Sequence, residues 1–409
     1  MTAEIIAVGT ELLLGNIANT DAMDISQVLS ELGINVYFHT VVGDNPARLS
    51  EAIGIARARA DILITTGGLG PTYDDLTKQT VAACFGRNVV MHEDIRTRIQ
   101  AWFQNAGRVM TKNNERQALL PEGCVVFQND WGTAPGCAFE SGGKHVLMLP
   151  GPPQECLPMF TACAAPYLQR LSEHCLVSRQ VRIFGMGESA VEDKLHDFMQ
   201  TQENPTVAPY AKMGEVMLRV TGRAASPEEA YALTEPVVAK IIEVLGNVVY
   251  GVDVDSLEAL VISLLIDQGK TLALAESCTG GLLSKRITDV PGASKVYKGG
   301  VCAYTGTAKT SLLGVPERLL GAQGAVSEPV ARAMAEGVLS RLDTDLALGI
   351  TGLAGPEGDG SENPVGTVYI ALAEKGRETR CQLFHLGTDR SRIRLMAASH
   401  ALDIIRRAL

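Results

Sequence analysis

Long apolar runs, clustered cysteines and an excess of positive charge are all missing from this 409-residue sequence. No apolar stretch reaches the ~18–20 residues that a helix needs to cross a bilayer, so we expect no membrane span. The nine cysteines form no C-x-x-C pair and none stands at zinc-like spacing with the seven histidines, which favours reduced, buried thiols in a cytoplasmic protein. The net charge of −10 argues against direct contact with nucleic acid.

Aromatic residues are scarce, and the first residues do not resemble a leader segment. The sequence opens on an apolar, strand-like stretch with no basic region before it, so we expect no signal peptide. Aromatic residues make up only 5%, whereas the hydrophobic share is 46% and glycine occurs 41 times. This balance is typical of α/β proteins, in which small and aliphatic residues fill strands and tight turns. The length predicts two or three domains of ~100–200 residues each.

Strand and helix patterns alternate along the first domain, which we assign to residues 1–170. Apolar strand patterns at 4–9, 34–43 and 61–68 are each followed by an amphipathic helical pattern. This rhythm predicts a parallel sheet with right-handed crossovers. Ligands of such sheets bind beyond the carboxyl ends of the strands.

Two further modules follow. Residues 176–250 show a strand, a helix, a second strand, a long helix opened by Ser226 and a short last strand, which predicts a small α+β module of ferredoxin-like or KH-like type. Residues 256–409 alternate again and predict a second α/β domain with a mixed sheet, closed by a helix from Asp389. The fold class is therefore α/β, with a small α+β middle module between two α/β domains.

The segment TTGGLGPTYDDLT, residues 65–77, is the strongest chemical signal of the first domain. Gly67, Gly68 and Gly70 follow a buried strand, where bare backbone N–H groups can approach a phosphate. Asp74 and Asp75 come next, at or near the start of a helix, and could bind a phosphate through a hard divalent cation. The alternative is a plain strand–turn–helix with aspartate as N-cap.

Other polar residues of this half are weaker candidates. Thr10 and Glu11 follow the first strand and would face the same side of the sheet. Glu155 ends a proline-rich loop that is equally consistent with a substrate wall or a domain exit. Lys112 could meet a phosphate, or it could be an ordinary solvated surface group.

Four motifs of this half together resemble a known family: GTELLLG, TTGGLGPTYDDLT, KNNERQA and LPGPPQE. They are similar to the N-terminal domain of the CinA (competence-damage-inducible) family, which itself resembles the molybdopterin-binding MoaB/MogA fold. The resemblance covers essentially the whole chain. It implies hydrolysis of ADP-ribose to AMP and ribose 5-phosphate, assisted by a divalent metal such as Mg²⁺, Mn²⁺ or Co²⁺.

The segment AESCTGG in the last domain places two potential nucleophiles, Ser277 and Cys278, where a strand passes into a helix. Ser277 or Thr279 could cap that helix, and Gly280 and Gly281 would leave backbone N–H groups open for an anion or an oxyanion. The simpler interpretation of the same segment is a helix cap beside a buried cysteine.

A nucleophile also needs a base. Cys278 would call for a histidine, but His385 and His400 have no evident tie to the turn. A serine could use a lysine of lowered pKa, and Tyr304 with Lys309 supply such a segment. By residue type alone, Lys309 reads as a surface helix lysine.

Three motifs of this half, AESCTGGLLSKRIT, YTGTAK and GITGLAGPEG, resemble the nicotinamide mononucleotide (NMN) amidohydrolase module of the same family. The resemblance implies that Ser277 is the nucleophile, assisted by Tyr304 and Lys309, with no cofactor. The candidate substrate-binding residues of this half are Thr279, Gly280 and Gly281 of the turn and, as the resemblance implies, Thr351, Gly352, Arg390 and Arg394. The two arginines are equally consistent with solvated charges near the start of a helix. Many relatives read Tyr-Ser-Asn where this chain has Tyr304-Thr305-Gly306, which removes one loop amide and keeps the three catalytic groups.

Together these motifs predict a bifunctional enzyme of pyridine-nucleotide recycling that acts on NMN and ADP-ribose. The resemblance also implies a homodimer. The rival interpretation is a non-catalytic nucleotide- or pterin-binding protein that acts through protein partners in competence.

Overall fold

The computed structural model describes residues 1–171 and 175–409. They form two compact units, Met1–Val177 with Gly222–Ala232, and Ser178–Thr221 with Leu233–Leu409. The predicted α/β class is confirmed. No helix within the described ranges is long and apolar enough to cross a membrane.

The N-terminal domain contains eight strands and seven α-helices. The strands are β1 Thr2–Val8, β2 Asn35–Val42, β3 Ile62–Thr66, β4 Val89–Met91, β5 Leu119–Pro121, β6 Val125–Phe127, β7 Gly136–Ser141 and β8 Lys144–Leu149. The helices are α1 Thr10–Leu13, α2 Thr20–Glu31, α3 Pro46–Arg59, α4 Thr77–Cys84, α5 Glu93–Asn105, α6 Pro153–Met159 and α7 Ala165–Gln169, with a 3₁₀ helix at Lys112–Ala118 and a π turn at Phe160–Ala164.

The main sheet of this domain has the order β2-β1-β3-β8-β7-β6. The first four strands are parallel, as predicted, and β7 and β6 extend the sheet in antiparallel fashion. Alternate side chains of β1, such as Ile5 and Ile6, enter apolar cores on opposite faces. The carboxyl ends of β1, β3 and β8 therefore meet at one protected edge of the sheet.

The middle module is a four-stranded sheet, ordered β10-β11-β9-β12, with two helices. Its elements are β9 Cys175–Phe184, α8 Glu188–Gln200, β10 Thr206–Lys212, β11 Glu215–Ala224, α9 Pro227–Leu245 and β12 Val249–Val252, with a 3₁₀ turn at Gly246–Val248. The sequence patterns did not indicate β10. This strand lies at the sheet edge, is largely exposed and contains Pro209, so it lacks the apolar alternation of a half-buried strand.

The C-terminal domain contains five strands and six α-helices. The strands are β13 Leu272–Glu276, β14 Tyr297–Cys302, β15 Leu346–Gly352, β16 Thr367–Glu374 and β17 Arg380–His385. The helices are α10 Leu257–Asp267, α11 Leu282–Thr288, α12 Gly306–Leu313, α13 Glu317–Gln323, α14 Glu328–Leu342 and α15 Arg390–Ala408, with a 3₁₀ turn at Ala293–Lys295.

The sheet has the order β14-β13-β15-β16-β17 and is mixed, as predicted. The first three strands are parallel, and β16 pairs antiparallel with both β15 and β17. Apolar residues of α10, α11 and α15 pack on one face, and those of α14 and α12 pack on the other. The strands that follow β13 lie on both sides of it. The carboxyl end of β13 is therefore a switch point, where open sheets form their ligand crevices.

Candidate functional site

Ser277 directly follows β13 and is fixed at the switch point by backbone hydrogen bonds. Its N–H donates to Ile350 O of the neighbouring strand at 3.0 Å, and its carbonyl accepts from Gly280 N at 3.1 Å. Gly280 and Gly281 have φ angles of 59° and 87°, in the left-handed region that glycine adopts readily. The expectation that the Gly280 N–H stays open for a ligand is therefore wrong, because the turn itself uses that donor.

The cap of the following helix is Glu276, a residue that the sequence analysis did not single out. Its buried carboxylate accepts from Leu283 N at 3.1 Å, from Ser284 N at 2.8 Å and from Ser284 Oγ at 2.5 Å. Ser277 and Thr279 do not cap α11, which begins only at Leu282 and has no cap from Gly281. The Ser277 hydroxyl therefore has no capping role and is available as a nucleophile.

Lys309 is buried beside Ser277, and the interpretation of it as a surface lysine is wrong. The residue is 1% exposed, and its Nζ lies 2.8 Å from Ser277 Oγ. The same Nζ lies 2.9 Å from Ala303 O and 3.4 Å from Tyr304 O. Burial lowers the pKa of Lys309 below its ordinary value, because desolvation disfavours the ammonium form.

The Lys309 amine has three hydrogen-bond neighbours, and its Nζ donates to each of them. A neutral amine has two N–H bonds and one lone pair. Once Lys309 loses a proton, the carbonyls of Ala303 and Tyr304 can accept its two remaining N–H groups, and its lone pair is left for the Ser277 hydroxyl. This arrangement can remove a proton from the serine as it attacks an electrophile.

Cys278, the competing nucleophile, is held as a thiol. It is 5% exposed, and burial raises the pKa of its thiol to about 12. Only the thiolate is strongly nucleophilic. His400 does not serve it, since its ring packs between Phe384 and Phe184 with centroid distances of 4.3 and 5.1 Å.

Tyr304, Arg390 and Arg394 lie around the turn. Tyr304 is 59% exposed, and its hydroxyl accepts from Arg390 Nη2 at 3.3 Å. Arg390 also donates to Gly355 O at 2.6 Å, and Arg394 donates to Thr279 O at 2.8 Å. Neither arginine forms an ion pair with a carboxylate of the described residues, so both positive charges remain available to an anion.

Thr351 and Gly352 end the strand next to β13. The Thr351 hydroxyl is buried and donates to Ala325 O at 2.7 Å, so it ties the loop before α14 to the sheet. A Cβ on Gly352 would lie 2.7 Å from Thr367 O, so a larger residue would displace β16. Thr279 is fully buried, and its Oγ1 has no hydrogen-bond partner within the described residues.

A second candidate site is a cleft of about 580 Å³ at the carboxyl ends of β1, β3 and β8. It is lined by most of the residues expected there: Glu11, Gly67, Gly68, Gly70, Asp74, Asp75 and Glu155. Glycine is required at position 67, because φ is +90° and a Cβ would lie 2.2 Å from Val8 O. The Gly67 N–H donates to Leu149 O at 3.0 Å, so the expectation that it stays open for a phosphate is wrong, and the glycine instead allows the turn to approach β1 closely.

The acidic residues of this cleft are held by short polar contacts. Thr72 donates to Asp75 Oδ2 from its N at 2.8 Å and from its Oγ1 at 2.6 Å, and it also donates to Asp74. The Thr72 hydrogen bond lowers the pKa of Asp74. Glu155 Oε2 accepts from Asn129 Nδ2 at 2.6 Å.

The lining of the cleft is acidic. Five carboxylates, including Asp44, line it, and no lysine or arginine is among its described lining residues. Within residues 1–171 and 175–409, no group of three His, Cys, Asp or Glu side chains is arranged to hold a metal by itself.

Two expected residues lie outside this lining. Thr10 Oγ1 donates to Asp44 Oδ2 at 2.7 Å, and it is Asp44 that lines the cleft. Lys112 is exposed at the start of the 3₁₀ helix, whereas Gln117 from the same segment reaches the cleft. Asp74 and Asp75 precede α4, which begins at Thr77, rather than opening it.

The sequence analysis missed Lys78, a buried cation behind the cleft. Its Nζ donates to Arg116 O and Gln117 O, both at 3.0 Å, and so fixes the 3₁₀ segment. Burial lowers the pKa of Lys78 to about 8. Nothing in the local sequence distinguishes it from a surface lysine, since its burial depends on the packing of residues 112–118.

Family models match all three modules. "Probable molybdopterin binding domain" matches residues 4–170, "Damage-inducible protein CinA KH domain" matches 178–251, and "CinA C-terminal domain" matches 254–409. The fold and the sites thus define a three-module α/β protein with a MoaB-like first domain, a KH-like middle domain and a CinA-type last domain.

The chain belongs to the CinA family. It is 49% identical over 409 residues to a "CinA-like protein" of Dictyoglomus turgidum, covering 100% of this chain and 99% of the relative. It is 48% identical over 409 residues to a "CinA-like protein" of Kosmotoga olearia, with the same coverage. A solved structure, the competence/damage inducible protein CihA from Agrobacterium tumefaciens, is 36% identical, covers 36% of this chain and 91% of its own, and has a TM-score of 0.36. The family resemblance predicted from the motifs is confirmed.

Proposed function

We propose that the C-terminal domain hydrolyses NMN to nicotinate mononucleotide and ammonia. The observation that carries this proposal is the buried Lys309 amine, 2.8 Å from Ser277 Oγ, with its two other neighbours being carbonyl oxygens. A serine with a neutral lysine beside it is suited to attack a carboxamide.

The reaction proceeds in two steps. Ser277 Oγ attacks the carboxamide carbon, and Lys309 accepts the hydroxyl proton and transfers it to the departing ammonia, so that the C–N bond breaks and an acyl-enzyme remains. Water then gives a proton to Lys309 and attacks the ester, and Lys309 returns that proton to Ser277 Oγ as the ester C–O bond breaks, which releases the acid and regenerates the free serine and the neutral lysine. The Ser277 and Gly280 N–H groups already donate within the fold, so the oxyanion would be stabilised by other backbone N–H groups of the turn beside Ser277, each worth ~2.7–4 kcal/mol.

The surrounding cations support a nucleotide substrate. Arg390 and Arg394 have no carboxylate partner among the described residues. Arg390 lies at Tyr304, and Arg394 lies at the turn that bears Ser277. We assign them to the phosphate of NMN, because guanidinium groups pair well with phosphate oxygens. Tyr304, held by Arg390, orients the substrate over Ser277.

We further propose that the N-terminal domain hydrolyses ADP-ribose to AMP and ribose 5-phosphate with a divalent cation such as Mg²⁺, Mn²⁺ or Co²⁺. The acidic cleft supports this, since a diphosphate could not approach five carboxylates without a cation. Mg²⁺ at phosphate sites uses one or two protein carboxylates plus phosphate oxygens and water, and the adjacent Asp74 and Asp75 fit that requirement. The cation would neutralise charge on the diphosphate, while the glycine turn holds its oxygens.

The test of the amidase is ammonia release from NMN by the intact protein without added metal. We expect equal amounts of ammonia and nicotinate mononucleotide. If neither product forms, the amidase proposal fails. If AMP release from ADP-ribose is also absent with Mg²⁺, Mn²⁺ and Co²⁺, a non-catalytic nucleotide- or pterin-binding role in competence replaces both proposals.

Asp75 tests the second activity. Asp75→Asn keeps a side-chain oxygen that can accept the Thr72 hydrogen bonds and removes the negative charge. We expect AMP release from ADP-ribose to fall at least about tenfold, since one charged contact is worth ~1.5–3 kcal/mol. Ammonia release from NMN in the same preparation is the control and should not change. Unchanged AMP release would remove Asp75 from the metal site.

A further inference from the structure

A small side cavity of about 50 Å³ adjoins the acidic cleft of the N-terminal domain. Both share Val8, Glu11, Ile17, Gly67, Gly151 and Pro153 as lining residues. A single water needs only ~10–15 Å³ of such space, so the side cavity has room for several non-hydrogen atoms. Its remaining lining comes mainly from the start of α2 and includes Asp21.

Asp21 is a buried carboxylate without a full set of partners. It is 8% exposed, and its Oδ1 is buried with no hydrogen-bond partner among the described residues. The Cys156 thiol, a weak donor, hydrogen-bonds to this carboxyl group. Burial raises the pKa of Asp21 to about 6.

Helix capping does not explain this carboxylate. Asn19 is the N-cap of α2 and accepts from Ala22 N at 3.2 Å, so the usual role of an acidic residue at a helix start is already filled. Buried polar atoms are nearly always paired, and leaving one unpaired costs ~1–3 kcal/mol. The orphaned oxygen belongs to a side chain that lines a cavity opening to a ligand cleft, which points to a ligand group that pairs with this carboxylate.

The charge of the side cavity restricts that group. Glu11 also lines it, Asp24 lies near Asp21, and no lysine or arginine is among its described lining residues. A phosphate or carboxylate would be repelled, and a buried ammonium would lose a large hydration energy. Neutral hydroxyls remain, and two vicinal hydroxyls can both donate to one carboxylate.

We propose that the side cavity is a pentose subsite in which Asp21 accepts hydrogen bonds from the vicinal hydroxyls of a ribose whose phosphate lies in the adjoining cleft. This inference rests on the proposed action of that cleft on a ribose-bearing diphosphate. The subsite would make the cleft specific for substrates that carry a ribose diol, since a substrate lacking the diol would leave Asp21 unpaired.

Calorimetric titration of the intact protein with Mg²⁺ tests the subsite. The probes are two matched pairs, ribose 5-phosphate with 2-deoxyribose 5-phosphate, and AMP with 2′,3′-dideoxy-AMP. We expect the wild type to bind the hydroxylated member of at least one pair about tenfold or more tightly, which is the scale of a hydrogen bond to a charged group. In Asp21→Ala that preference should fall to about twofold or less, while inorganic pyrophosphate binds as to the wild type.

Two variants control for folding and for charge. Asp21→Asn keeps the size of the side chain and one acceptor oxygen, and it should lose part of the preference for the hydroxylated probes. This variant tests the subsite even if Asp21→Ala unfolds. Asp94→Asn makes the same charge change in the first turn of α5, at an exposed residue outside the cleft, and should keep the wild-type preference.

Three results would overturn the proposal: no preference in either pair with the wild type, an undiminished preference in both Asp21 variants, or equal loss of pyrophosphate binding. The pyrophosphatase proposal fails separately. A protein that shows the diol preference but releases no AMP from ADP-ribose keeps the subsite and loses the reaction.

Discussion

At the scale of single residues, burial acts on Lys309 and Cys278 in the same way, with opposite chemical results. Desolvation disfavours the charged form of each group, so it lowers the pKa of the lysine and raises the pKa of the thiol to about 12. A lysine that is neutral can act as a base, whereas a neutral thiol is a poor nucleophile. The choice between Ser277 and Cys278 therefore follows from the environment of the pair.

The pH dependence of the amidase reports on Lys309. The amine must be neutral to accept a proton, and its pKa is below the ordinary lysine value, so kcat/KM for NMN should rise with pH and level off below the pH at which a free lysine titrates. Lys309→Arg keeps a fixed positive charge and should lower kcat/KM at least ~100-fold, as general-base removal does. Lys285→Arg, at an exposed position, is the control. An ascending limb that survives in Lys309→Arg would assign the base elsewhere.

The sequence could identify this site only in part. The family resemblance identified the three candidate catalytic residues, Ser277, Tyr304 and Lys309. The local sequence alone indicated that Lys309 is a surface lysine. The burial of Lys309 arises when α12 folds back against the end of β13, which no local pattern encodes. The single orphaned oxygen of Asp21 is likewise a product of tertiary packing.

At the scale of elements, the turn between β13 and α11 is organised by Glu276. Its carboxylate receives two backbone N–H groups and one hydroxyl, so it ends the strand, starts the helix and fixes the loop that bears Ser277. The sequence suggested a serine or threonine cap, following the usual preference. A cap from the last residue of the preceding strand requires the folded turn and could not be inferred.

Glu276→Gln tests this organising role. The amide presents an N–H₂ to backbone donors, so we expect the free energy of unfolding to fall by ~1–3 kcal/mol, the cost of leaving buried groups unpaired. The kcat for NMN should fall as well, because the turn loosens. Urea unfolding and ammonia release measure the two effects. Glu336→Gln, exposed on α14, should change stability by less than ~0.5 kcal/mol.

Wild-type stability in Glu276→Gln would show that the turn does not depend on this carboxylate.

The two glycines of the turn provide a matched pair. Alanine at either position has a left-handed φ and should cost ~1–2 kcal/mol of stability. A Cβ on Gly280 would lie 3.4 Å from Arg394 Nη2, whereas a Cβ on Gly281 would meet nothing within 4 Å. We therefore expect Gly280→Ala to raise KM for NMN more than Gly281→Ala does. Equal KM values would contradict the placement of Arg394 at the phosphate.

At the scale of the whole molecule, two chemically different candidate sites occur in one chain. Both lie at the carboxyl ends of parallel strands, where the strand–helix alternation predicted them. The α/β class and the three-module order were predictable from periodicity and motifs. The edge strand β10 and the antiparallel extension by β6 and β7 were not, because short or polar strands carry little periodic signal. The homodimer stays a prediction.

Metal removal should separate the two activities. The proposed amidase route uses only side chains and backbone groups, whereas the proposed diphosphate hydrolysis in the acidic cleft needs a cation. Chelation of the intact protein with EDTA should abolish AMP release from ADP-ribose and leave ammonia release from NMN within about twofold, since no step of the serine route involves a metal. Re-addition of Mg²⁺ or Co²⁺ should restore AMP release. Loss of ammonia release on chelation would contradict the serine–lysine route.

The central claim is that Ser277, and not its neighbour Cys278, attacks the carboxamide. The most direct measurement is ammonia release from NMN by Ser277→Ala and Cys278→Ala, made in the same intact chain and compared with the wild type. We predict that Ser277→Ala loses activity by at least ~10³-fold, as removal of a catalytic nucleophile does, while Cys278→Ala keeps most of it. Full activity in Ser277→Ala together with loss in Cys278→Ala would contradict the account.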